Sequence, residues 1–332
     1  MLLARSDSLD PFRNLAMEEY LLDAVGGEGD VSFALGERHG FILFLWRSAN
    51  AVIIGKNQNP WRECNLRRLD EEKAALARRL SGGGAVFHDA GNLNYAFILP
   101  RAQYDSCRQL CVVIKAMEQL GIHAQVAGKN SLAVGGLKVS GNAFSFRRTS
   151  AMHHGTLLVS TDLERMDRFL RVSPSTLRTR AIASVPASVT NLSAVVPSLT
   201  VDVVGDALAM AARHEYGEEL REVSLMSADA ARIKQLTEKY ASWSWRFGLT
   251  PDFEMDVTGE ALDETVTLRV NVKDGLIAEI SALIGVLPRP VLSTLIGSQL
   301  ECGEIRRRLQ AVLDAPEATS LSQLLCEAGG LG

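Results

Sequence analysis

The stretch RRLSGGGAVFHD at residues 78–89 brings together two arginines, a hydroxyl and three consecutive glycines. Glycines let backbone N–H groups approach an anion, because no Cβ blocks the way and positive φ angles are accessible. Arg78 and Arg79 add fork-shaped donors suited to phosphate or carboxylate, and Ser81 adds a hydroxyl. The simpler interpretation is a tight turn between strands, since no Walker pattern or helix-opening G-x-G-x-x-G is present. The glycines alone favour the turn, whereas the flanking cations favour an anion site.

Two further motifs could take part in the same chemistry. Lys138 is a lone lysine in the glycine-flanked, apolar stretch GGLKVSGNAF, where it could donate to a phosphate or to a developing acyl phosphate. The alternative is a solvated lysine at a strand edge. His153 and His154 would point to opposite faces of a strand, so only one of them need point inward. A zinc site is not indicated, because only His88 lies near another motif and paired acids are not evident.

The amino-acid composition is typical of a globular protein. The 332 residues are 47% hydrophobic and 22% charged, with a net charge of −4 and no block of like charge that would indicate nucleic-acid binding. No signal peptide is visible, and no apolar stretch approaches the ~18 residues of a membrane helix. The five cysteines show no disulfide spacing, which favours a reducing cytoplasmic compartment. Cys107 and Cys111 are predicted to be buried helix residues.

Hydrophobic periodicity predicts the elements that position these motifs. Helices are expected at 10–27, 59–79, 109–122, 161–172, 201–216 and 226–241. The apolar runs at 41–46 and 51–55 predict a buried hairpin, and 84–89 and 92–100 predict two more strands. Residues 123–160 predict a β meander with glycine turns, and the irregular segment 172–200 predicts a functional or mobile loop.

Taken together, these blocks resemble the lipoate–protein ligase A family of the biotin/lipoate protein ligase superfamily. The matching blocks are, in chain order, DPFRNLAMEEYLL, NAVIIGKNQNPWRECN, RRLSGGGAVFHDAGNLN, GGLKVSGNAF, HHGTLL, VTNLS and SWSWRFGLTPDF. The resemblance extends over essentially the whole chain. It implies an α/β fold with a mixed sheet flanked by helices in a catalytic domain at residues 1–248. A small α+β accessory domain is expected at residues 253–332, after a change in composition at 242–253.

The resemblance also implies a reaction in two steps. Free lipoate is activated with Mg-ATP to lipoyl-AMP, which releases pyrophosphate. The lipoyl group then passes to a lysine of a lipoyl-domain protein, such as the E2 subunit of a 2-oxoacid dehydrogenase or the glycine cleavage H protein. The implied enzyme is cytoplasmic, with no nucleic-acid or membrane partner.

The family pattern assigns roles to particular residues. Lys138 matches the catalytic lysine, and the ATP or adenylate contacts are Arg78, Gly83, Gly84, Ala85, Val86 and Lys138. Lipoate contacts are expected from Arg79, Gly82, His88, Ser140, Gly141, His154 and Gly155. A loop that closes over the adenylate would include Ser184, Val189, Thr190 and Asn191. No metal ligand is expected from the protein, because ATP carries the Mg²⁺.

The chain departs from the family pattern at three positions. Ser131 replaces an acidic residue, and Pro186 and Ser188 replace two arginines of the adenylate loop. These changes leave two alternatives open. One is an ATP-independent octanoyl or lipoyl transferase, although no cysteine lies between Cys111 and Cys302 to carry a thioester. The other is a weakly catalytic protein that binds lipoate or a lipoyl domain.

Overall fold

The computed structural model describes residues 1–27, 40–170, 177–217, 219–225, 229–285 and 287–328. The strands are β1 (Leu2–Arg5), β2 (Ile42–Trp46), β3 (Ala51–Ile54), β4 (Ala75–Arg78), β5 (Val86–His88), β6 (Asn92–Pro100), β7 (Gln125–Ala127), β8 (Ser131–Val134), β9 (Leu137–Phe146), β10 (Ser150–Leu158), β11 (Leu177–Thr179), β12 (Arg221–Val223), β13 (Phe253–Ala261), β14 (Glu264–Lys273) and β15 (Leu276–Ile284). The helices are α1 (Pro11–Gly26), α2 (Pro60–Glu63), α3 (Leu66–Glu71), α4 (Ser106–Gln119), α5 (Leu163–Leu170), α6 (Val201–Tyr216), α7 (Ala230–Ala241), α8 (Arg289–Ser293), α9 (Cys302–Leu309) and α10 (Ala315–Ala328).

A mixed eight-stranded sheet forms the centre of the molecule, in the order β12-β1-β2-β6-β10-β9-β8-β7. β1 pairs in parallel with β12 and β2, and the pairs from β2 to β7 are antiparallel. Leu43 and Leu45 face a layer that contains α4 and α6. Ile42 and Phe44, which alternate with them, face α1 and α7. The predicted α/β class, with a mixed sheet flanked by helices, is confirmed.

A three-stranded sheet, in the order β4-β3-β5, carries the glycine-rich segment. β3 pairs in parallel with β4 and antiparallel with β5. The predicted hairpin between residues 41–46 and 51–55 is therefore wrong, because β2 and β3 belong to different sheets. Both strands are buried along their whole length. A continuous apolar run of this kind indicates a buried strand but not its neighbour.

The predicted helix at 59–79 is also wrong over half of its length. The segment forms the short helices α2 and α3, and Lys73 then takes a positive φ of 51°. Strand β4 follows, with Leu76 and Ala77 buried. Charged residues with helical spacing suggested one long helix, but pairing with β3 overrides that local preference. The strand holds Arg78 at the edge of the glycine run.

Several other predicted elements are confirmed. α1 begins after Asp10, whose side chain accepts from Phe12 N–H, and ends at Gly27 with φ 64°. α5 and α6 lie within their predicted ranges, and so do the meander strands β7 to β10, whereas α4 begins and ends three residues before the predicted 109–122. α7 covers 230–241 of the helix predicted at 226–241, whose residues 226–228 lie outside the described residues. The helix predicted at 161–172 includes two residues, 171 and 172, that likewise lie outside the described residues.

Two expectations about cysteines are wrong. Cys107 and Cys111 lie on α4 but are exposed. The buried stripe of that helix consists of Gln109, Val112, Val113, Ala116 and Met117, on the other side. Cys302 and Cys326 form a disulfide between α9 and α10, which their sequence spacing did not indicate.

A four-stranded sheet, in the order β11-β13-β14-β15, consists mostly of strands from the C-terminal segment. Helices α8 to α10 follow it in the sequence. β11 precedes the predicted domain boundary, and the other three strands follow it. Trp61 of α2 is fully buried against Phe247 and Phe253, and its Nε1 donates to the Leu300 carbonyl oxygen over 3.3 Å. The division into domains at 1–248 and 253–332 stays a prediction. No helix in the described parts of the chain is long and apolar enough to cross a membrane.

Candidate functional site

Residues 79–85, here called the glycine loop, connect β4 to β5 and fold around the guanidinium of Arg79. Nη2 of Arg79 donates to the carbonyl oxygens of Gly82 at 2.6 Å and Gly84 at 2.8 Å. Its Nη1 donates to the Ile53 carbonyl at 3.1 Å. Burial lowers the pKa of Arg79 to about 10. Because the C=O and N–H of a trans peptide point in opposite directions, the amides of Gly83 and Ala85 point away from the guanidinium.

Gly83 is the one position in this loop where a positive φ requires glycine. Its φ is 90°, and a Cβ there would lie 3.0 Å from Nη2 of Arg79. The tight turn and the anion cradle considered for the glycine run are therefore compatible. The turn exists, and it leaves backbone amides on the side away from the arginine.

Lys138 lies on β9, opposite the glycine loop. Its backbone N–H donates to the Ser188 carbonyl and its carbonyl accepts from Thr190 N–H, at 2.9 and 3.0 Å. Burial, followed by the charge of Arg79, lowers the pKa of Lys138. The side chain is half-buried rather than a solvated strand-edge lysine.

A larger cavity of about 300 Å³ lies between the glycine loop, α1 and the strands β9 and β10. Its apolar lining includes Leu15, Trp46, Ile53 and Ala143. Its polar lining includes Glu18, Arg79, His88, Asn94, Lys138, Asn142 and His154. An apolar slot with a few convergent polar groups is the usual form of a small-molecule site.

A smaller cavity of about 240 Å³ lies beside it, against α5. Phe87, Leu158, Met166, Leu170 and Val189 give it apolar walls. The two cavities share the lining residues Ala85, Val86, Lys138, Gly141, Thr156, Ser184 and Val185. Lys138 therefore borders both.

Residues 182–190, here called the strap, cross the mouth of the two cavities. Ser184 Oγ accepts from Ala85 N–H at 2.9 Å and from Gln58 Nε2 at 3.0 Å, and Ser184 N–H donates to Glu63 Oε2 at 2.9 Å. The other end of the strap is the pairing with Lys138. Val185 between these attachments is 86% exposed. Ile182 N–H also donates to the Asn57 carbonyl at 3.1 Å, so the strap is fixed near both of its ends and solvated between them.

A chain of hydrogen bonds lies behind the glycine loop. Glu18 Oε2 bonds to His154 Nδ1 at 2.9 Å, and His154 Nε2 bonds to Ser81 Oγ at 2.6 Å. Ser81 Oγ also accepts from Arg79 Nε at 3.0 Å. Trp46 Nε1 donates to the second carboxylate oxygen of Glu18 at 3.1 Å. The chain joins α1 to the guanidinium that shapes the glycine loop.

His88 and Asn94 present polar atoms that lack protein partners. Both ring nitrogens of His88, and Nδ2 of Asn94, are buried without a hydrogen-bond partner among the described residues. Both residues line the larger cavity. Burial, with the charge of Arg79, lowers the pKa of His88 to about 3. Buried polar atoms of this kind normally require a partner, which a ligand in the cavity would supply.

Arg78 lies elsewhere, although it neighbours Arg79. It is completely buried and donates to the carbonyl oxygens of Lys56, Gln58 and Arg246 and to Thr250 Oγ1, at 2.6 to 2.9 Å. It lines neither cavity. The adenylate contact expected of Arg78 is not supported by this placement, and Arg79 is the arginine at the site.

Most of the other predicted site residues come together. The larger cavity is lined by Arg79, Gly83, Gly84, Ala85, Val86, His88, Lys138, Gly141, His154, Gly155 and Ser184. Ser140 and Val189 line the smaller cavity only. Gly82, Thr190 and Asn191 line neither, and Asn191 is occupied by two hydrogen bonds with the Thr161 backbone. Ser131, which replaces an acid of the family pattern, lines the larger cavity.

Several lining residues were not predicted from the sequence. Among them are Glu18, Trp46, Asn94 and Asn142. Glu18 and Trp46 lie in apolar elements. The Glu18 carboxylate can be recognised as a site residue only once its hydrogen-bond partners are known. No group of three or more His, Cys, Asp or Glu side chains that could hold a metal occurs in the described ranges.

The chain is similar to known lipoate ligases. A protein-family profile described as the lipoyl protein ligase A/B catalytic domain matches residues 10–213. Lipoate-protein ligase A of Psychrobacter cryohalolentis is 34% identical over 288 residues, which cover 84% of this chain and 81% of that protein.

Solved structures of lipoate ligases share the fold. LipL1 of P. falciparum, in complex with lipoate, gives a TM-score of 0.64 at 22% identity and covers 98% of this chain and 99% of its own. A lipoate-protein ligase A bound with ATP gives a TM-score of 0.59 at 24% identity, over 75% of this chain and 98% of its own. These likenesses confirm the lipoate ligase-like fold that the sequence predicted.

Proposed function

We propose that this chain, which belongs to the lipoyl protein ligase A/B family, is an ATP-dependent lipoate–protein ligase that acts through lipoyl-AMP. The observation that carries the proposal is the position of Lys138, which borders both cavities. A molecule that fills both cavities would have its middle at this lysine. In lipoyl-AMP the middle is the bond between acyl group and phosphate, where adenylation develops negative charge.

The larger cavity is the proposed site of the lipoyl group. Its apolar lining from Leu15, Trp46, Ile53 and Ala143 suits an alkyl chain and a dithiolane ring. Its volume of about 300 Å³ is at the small end of the range for ligand pockets. His88 and His154 would lie beside this group, in keeping with the sequence-based expectation.

The smaller cavity and the glycine loop are the proposed site of the nucleotide. The amides of Gly83 and Ala85 point away from Arg79. The Gly83 amide would donate to a phosphate oxygen, and the Ala85 amide would do so once Ser184 Oγ releases it. Phe87 and Met166 offer apolar surface for a base, and the strap lines this cavity with Ser184, Val185, Pro186, Ala187 and Val189. Mg²⁺ would arrive with ATP, and it would supply further neutralisation of phosphate charge. The protein's own N–H donors would bind the phosphate oxygens and would not be ligands of the metal.

The two steps balance without a covalent enzyme intermediate. The lipoate carboxylate attacks the α-phosphorus of ATP, and the bond to the pyrophosphate oxygen breaks. In the second step a lysine ε-amine attacks the acyl carbon, the bond to AMP breaks and the amine loses a proton. Lys138 and the glycine-loop amides would stabilise the charge on the phosphate oxygens in both steps.

The acceptors proposed for the second step are lipoyl-domain proteins, such as E2 subunits and the glycine cleavage H protein. This part of the proposal rests on family membership. A protein acceptor must reach Lys138 past the strap, so the strap would move between the two steps. A cytoplasmic location, with no nucleic-acid or membrane partner, stays a prediction.

Pyrophosphate release tests the proposal. With lipoate and Mg-ATP the protein is expected to release pyrophosphate in proportion to the lipoyl-AMP formed, and omission of lipoate should abolish the signal. Binding of lipoate without pyrophosphate would favour a binding protein instead. Transfer from an octanoyl-carrier protein without ATP would favour the transferase. The described cysteines do not favour that last outcome, because none lines either cavity and burial raises the pKa of Cys64.

A further inference from the structure

Hydrogen-bond directions can be assigned along the chain from α1 to the glycine loop. Ser81 Oγ accepts the N–H of Arg79 Nε, so its own proton is available to His154 Nε2. Nε2 is then an acceptor and Nδ1 carries the ring proton, which it donates to Glu18. Trp46 Nε1, which can only donate, binds the other carboxylate oxygen. Each proton is used once, and each acceptor has a donor.

The side chains that form this series of hydrogen bonds are shielded from water. Glu18 and Ser81 are each 2% exposed, and His154 is 7% exposed. Arg79 is the positive charge that acts on Glu18 in this region. Hydrogen bonds in such an environment are stronger than in water, and an unmatched donor or acceptor is costly. The directions of the bonds are therefore held firmly.

The series of hydrogen bonds ends at the glycine loop, which is the part of the site proposed to bind phosphate. Arg79 Nε is fixed by Ser81, and Nη2 of the same planar guanidinium holds the carbonyls of Gly82 and Gly84. A rotation of the guanidinium would move both carbonyls and hence the amides on the opposite side of each peptide. Donors aimed at developing charge must hold their geometry to be effective.

We propose that Glu18 is a positioning residue for adenylation, which acts through His154 and Ser81 on Arg79 and the glycine loop. It sets the ring tautomer of His154, and thereby the direction of the hydrogen bond between His154 and Ser81, whose oxygen accepts from Arg79 Nε. This inference rests on the proposed ligase function. It differs from a role as cavity wall, because a wall residue would change lipoate binding, whereas a positioning residue changes the rate at saturation.

Glu18→Gln is the informative substitution. An amide offers one carbonyl oxygen to two N–H donors, so its NH₂ group must face one of them. Trp46 Nε1 is always a donor, whereas His154 has a tautomer that accepts at Nδ1. The glutamine NH₂ should therefore face His154 and move the ring proton to Nε2. Ser81 would then lose its acceptor, and both hydrogen bonds of His154 would reverse, while Arg79 Nε still donates to Ser81.

Two measurements on the full-length protein test this. Nitrogen NMR of ¹⁵N-labelled imidazole, with His154 assigned by comparison with His154→Gln, should show the Nδ1–H tautomer in the parent and Nε2–H in Glu18→Gln. Pyrophosphate release at saturating lipoate and ATP should fall about tenfold or more, as expected when donors are displaced. Glu19→Gln is the matched control, because Glu19 is also buried on α1 but pairs with Lys239 and Arg147. It should leave the His154 tautomer and the saturated rate unchanged.

The proposal is overturned if the His154 tautomer is the same in the parent and in Glu18→Gln. It is also overturned if the saturated rate stays within about twofold while only the lipoate KM rises. If Glu18→Gln fails to fold, Ser81→Ala breaks the same chain from the other end, and its saturated rate must then show the loss. A parent that releases no pyrophosphate contradicts the ligase function itself. A parent that is active with an unchanged tautomer contradicts only the role of Glu18.

Discussion

The glycine loop and the strap form the two sides of the site, and they are held in opposite ways. The glycine loop is tied to the buried guanidinium of Arg79 and, through Ser81 and His154, to α1. The strap is attached at Ser184 and beside Lys138, and its Val185 is almost fully solvated. The glycine loop is therefore bonded to buried residues, whereas the strap lies at the surface.

The difference matches the demands of the proposed two-step transfer. Charge stabilisation needs donors that do not move, which favours a buried, fully bonded loop. Entry of ATP and then of a protein lysine needs a side that opens, which favours a segment with few attachments. The substitutions below either break the buried side or change the strap, in order of decreasing expected effect.

Arg78→Ala should break the anchorage of β4 next to the glycine loop. The substitution leaves the carbonyls of Lys56, Gln58 and Arg246 and the hydroxyl of Thr250 without their buried donor. The free energy of unfolding should fall by about 3 kcal/mol or more. Urea denaturation measures this, with the exposed Arg68→Ala as control, for which about 1 kcal/mol or less is expected. A small loss from Arg78→Ala would mean that water replaces the guanidinium.

Lys138→Ala should remove the cation that lies between the two cavities. Pyrophosphate release should fall about a hundredfold or more, because a donor to developing charge is lost, while far-ultraviolet circular dichroism stays unchanged. Lys129→Ala, at an exposed position close in sequence, should keep the parent's rate. Near-parental release from Lys138→Ala would show that this lysine is not the catalytic one.

The buried side should also respond to pH through His88. Its pKa is about 3 in the folded protein and ~6.5 when unfolded, so the unfolded chain binds more protons between these values. The stability is fully present above pH ~6.5 and is lost as the pH falls towards 3. Between pH 7 and 5 the loss from this residue should be about 2 kcal/mol.

His88→Phe should flatten the stability profile by that amount, as measured by urea unfolding at several pH values. His153, whose pKa burial also lowers to about 3, would account for part of the slope that remains. His214→Gln, on an exposed position of α6, serves as control. An unchanged profile in His88→Phe would mean that the folded protein protonates His88 without cost.

Ser184→Ala should loosen the strap at its attachment to the glycine loop. The hydroxyl now occupies the Ala85 amide, which a phosphate oxygen would otherwise use. ATP should therefore bind about fivefold more tightly, which corresponds to one hydrogen bond of ~1 kcal/mol. Isothermal titration with a non-hydrolysable ATP analogue measures the change. Weaker binding would instead show that the Ser184 hydroxyl contacts the nucleotide.

Arginines at the two departures from the family pattern should have the smallest effect. Pro186 and Ser188 are exposed on the strap, so Pro186→Arg with Ser188→Arg adds charge near the adenylate without disturbing the core. Retention of lipoyl-AMP or the rate of transfer should rise about twofold, as expected for solvated ion pairs. The double glutamine variant controls for side-chain length. Equal kinetics for the arginine and glutamine variants would mean that the strap acts through its backbone.

The sequence was informative where function constrains a local pattern. The glycine run, Lys138 and His154 were identified as site candidates, and the structure brings all three together around one cavity. Arg78 and Arg79 could not be separated, because neighbouring strand residues point to opposite faces and the sequence does not say which face is the site. Glu18 was missed because its role depends on contacts with residues more than 25 positions away.

The elements were predicted less evenly than the motifs. α1 and α4 have capping residues and a helical stripe, so their bounds were close. β2 and β3 are short apolar runs on either side of a turn, and only long-range pairing assigns them to different sheets. The segment at 59–79 has helical charge spacing but ends as a strand, since pairing with β3 decides its conformation. Local pattern thus located the chemistry better than it located the partners of each strand.

Acyl-adenylate chemistry at Lys138 is tested most directly by following the α-phosphate of ATP. The protein is incubated with lipoate and ATP labelled at the α-phosphate, and a lipoyl domain is added after separation from free nucleotide. The label should first appear in lipoyl-AMP bound to the protein, and should then be released as AMP as the lipoyl domain gains one lipoyl group. Lipoylation without labelled lipoyl-AMP, or no labelled product at all, would contradict the proposed mechanism.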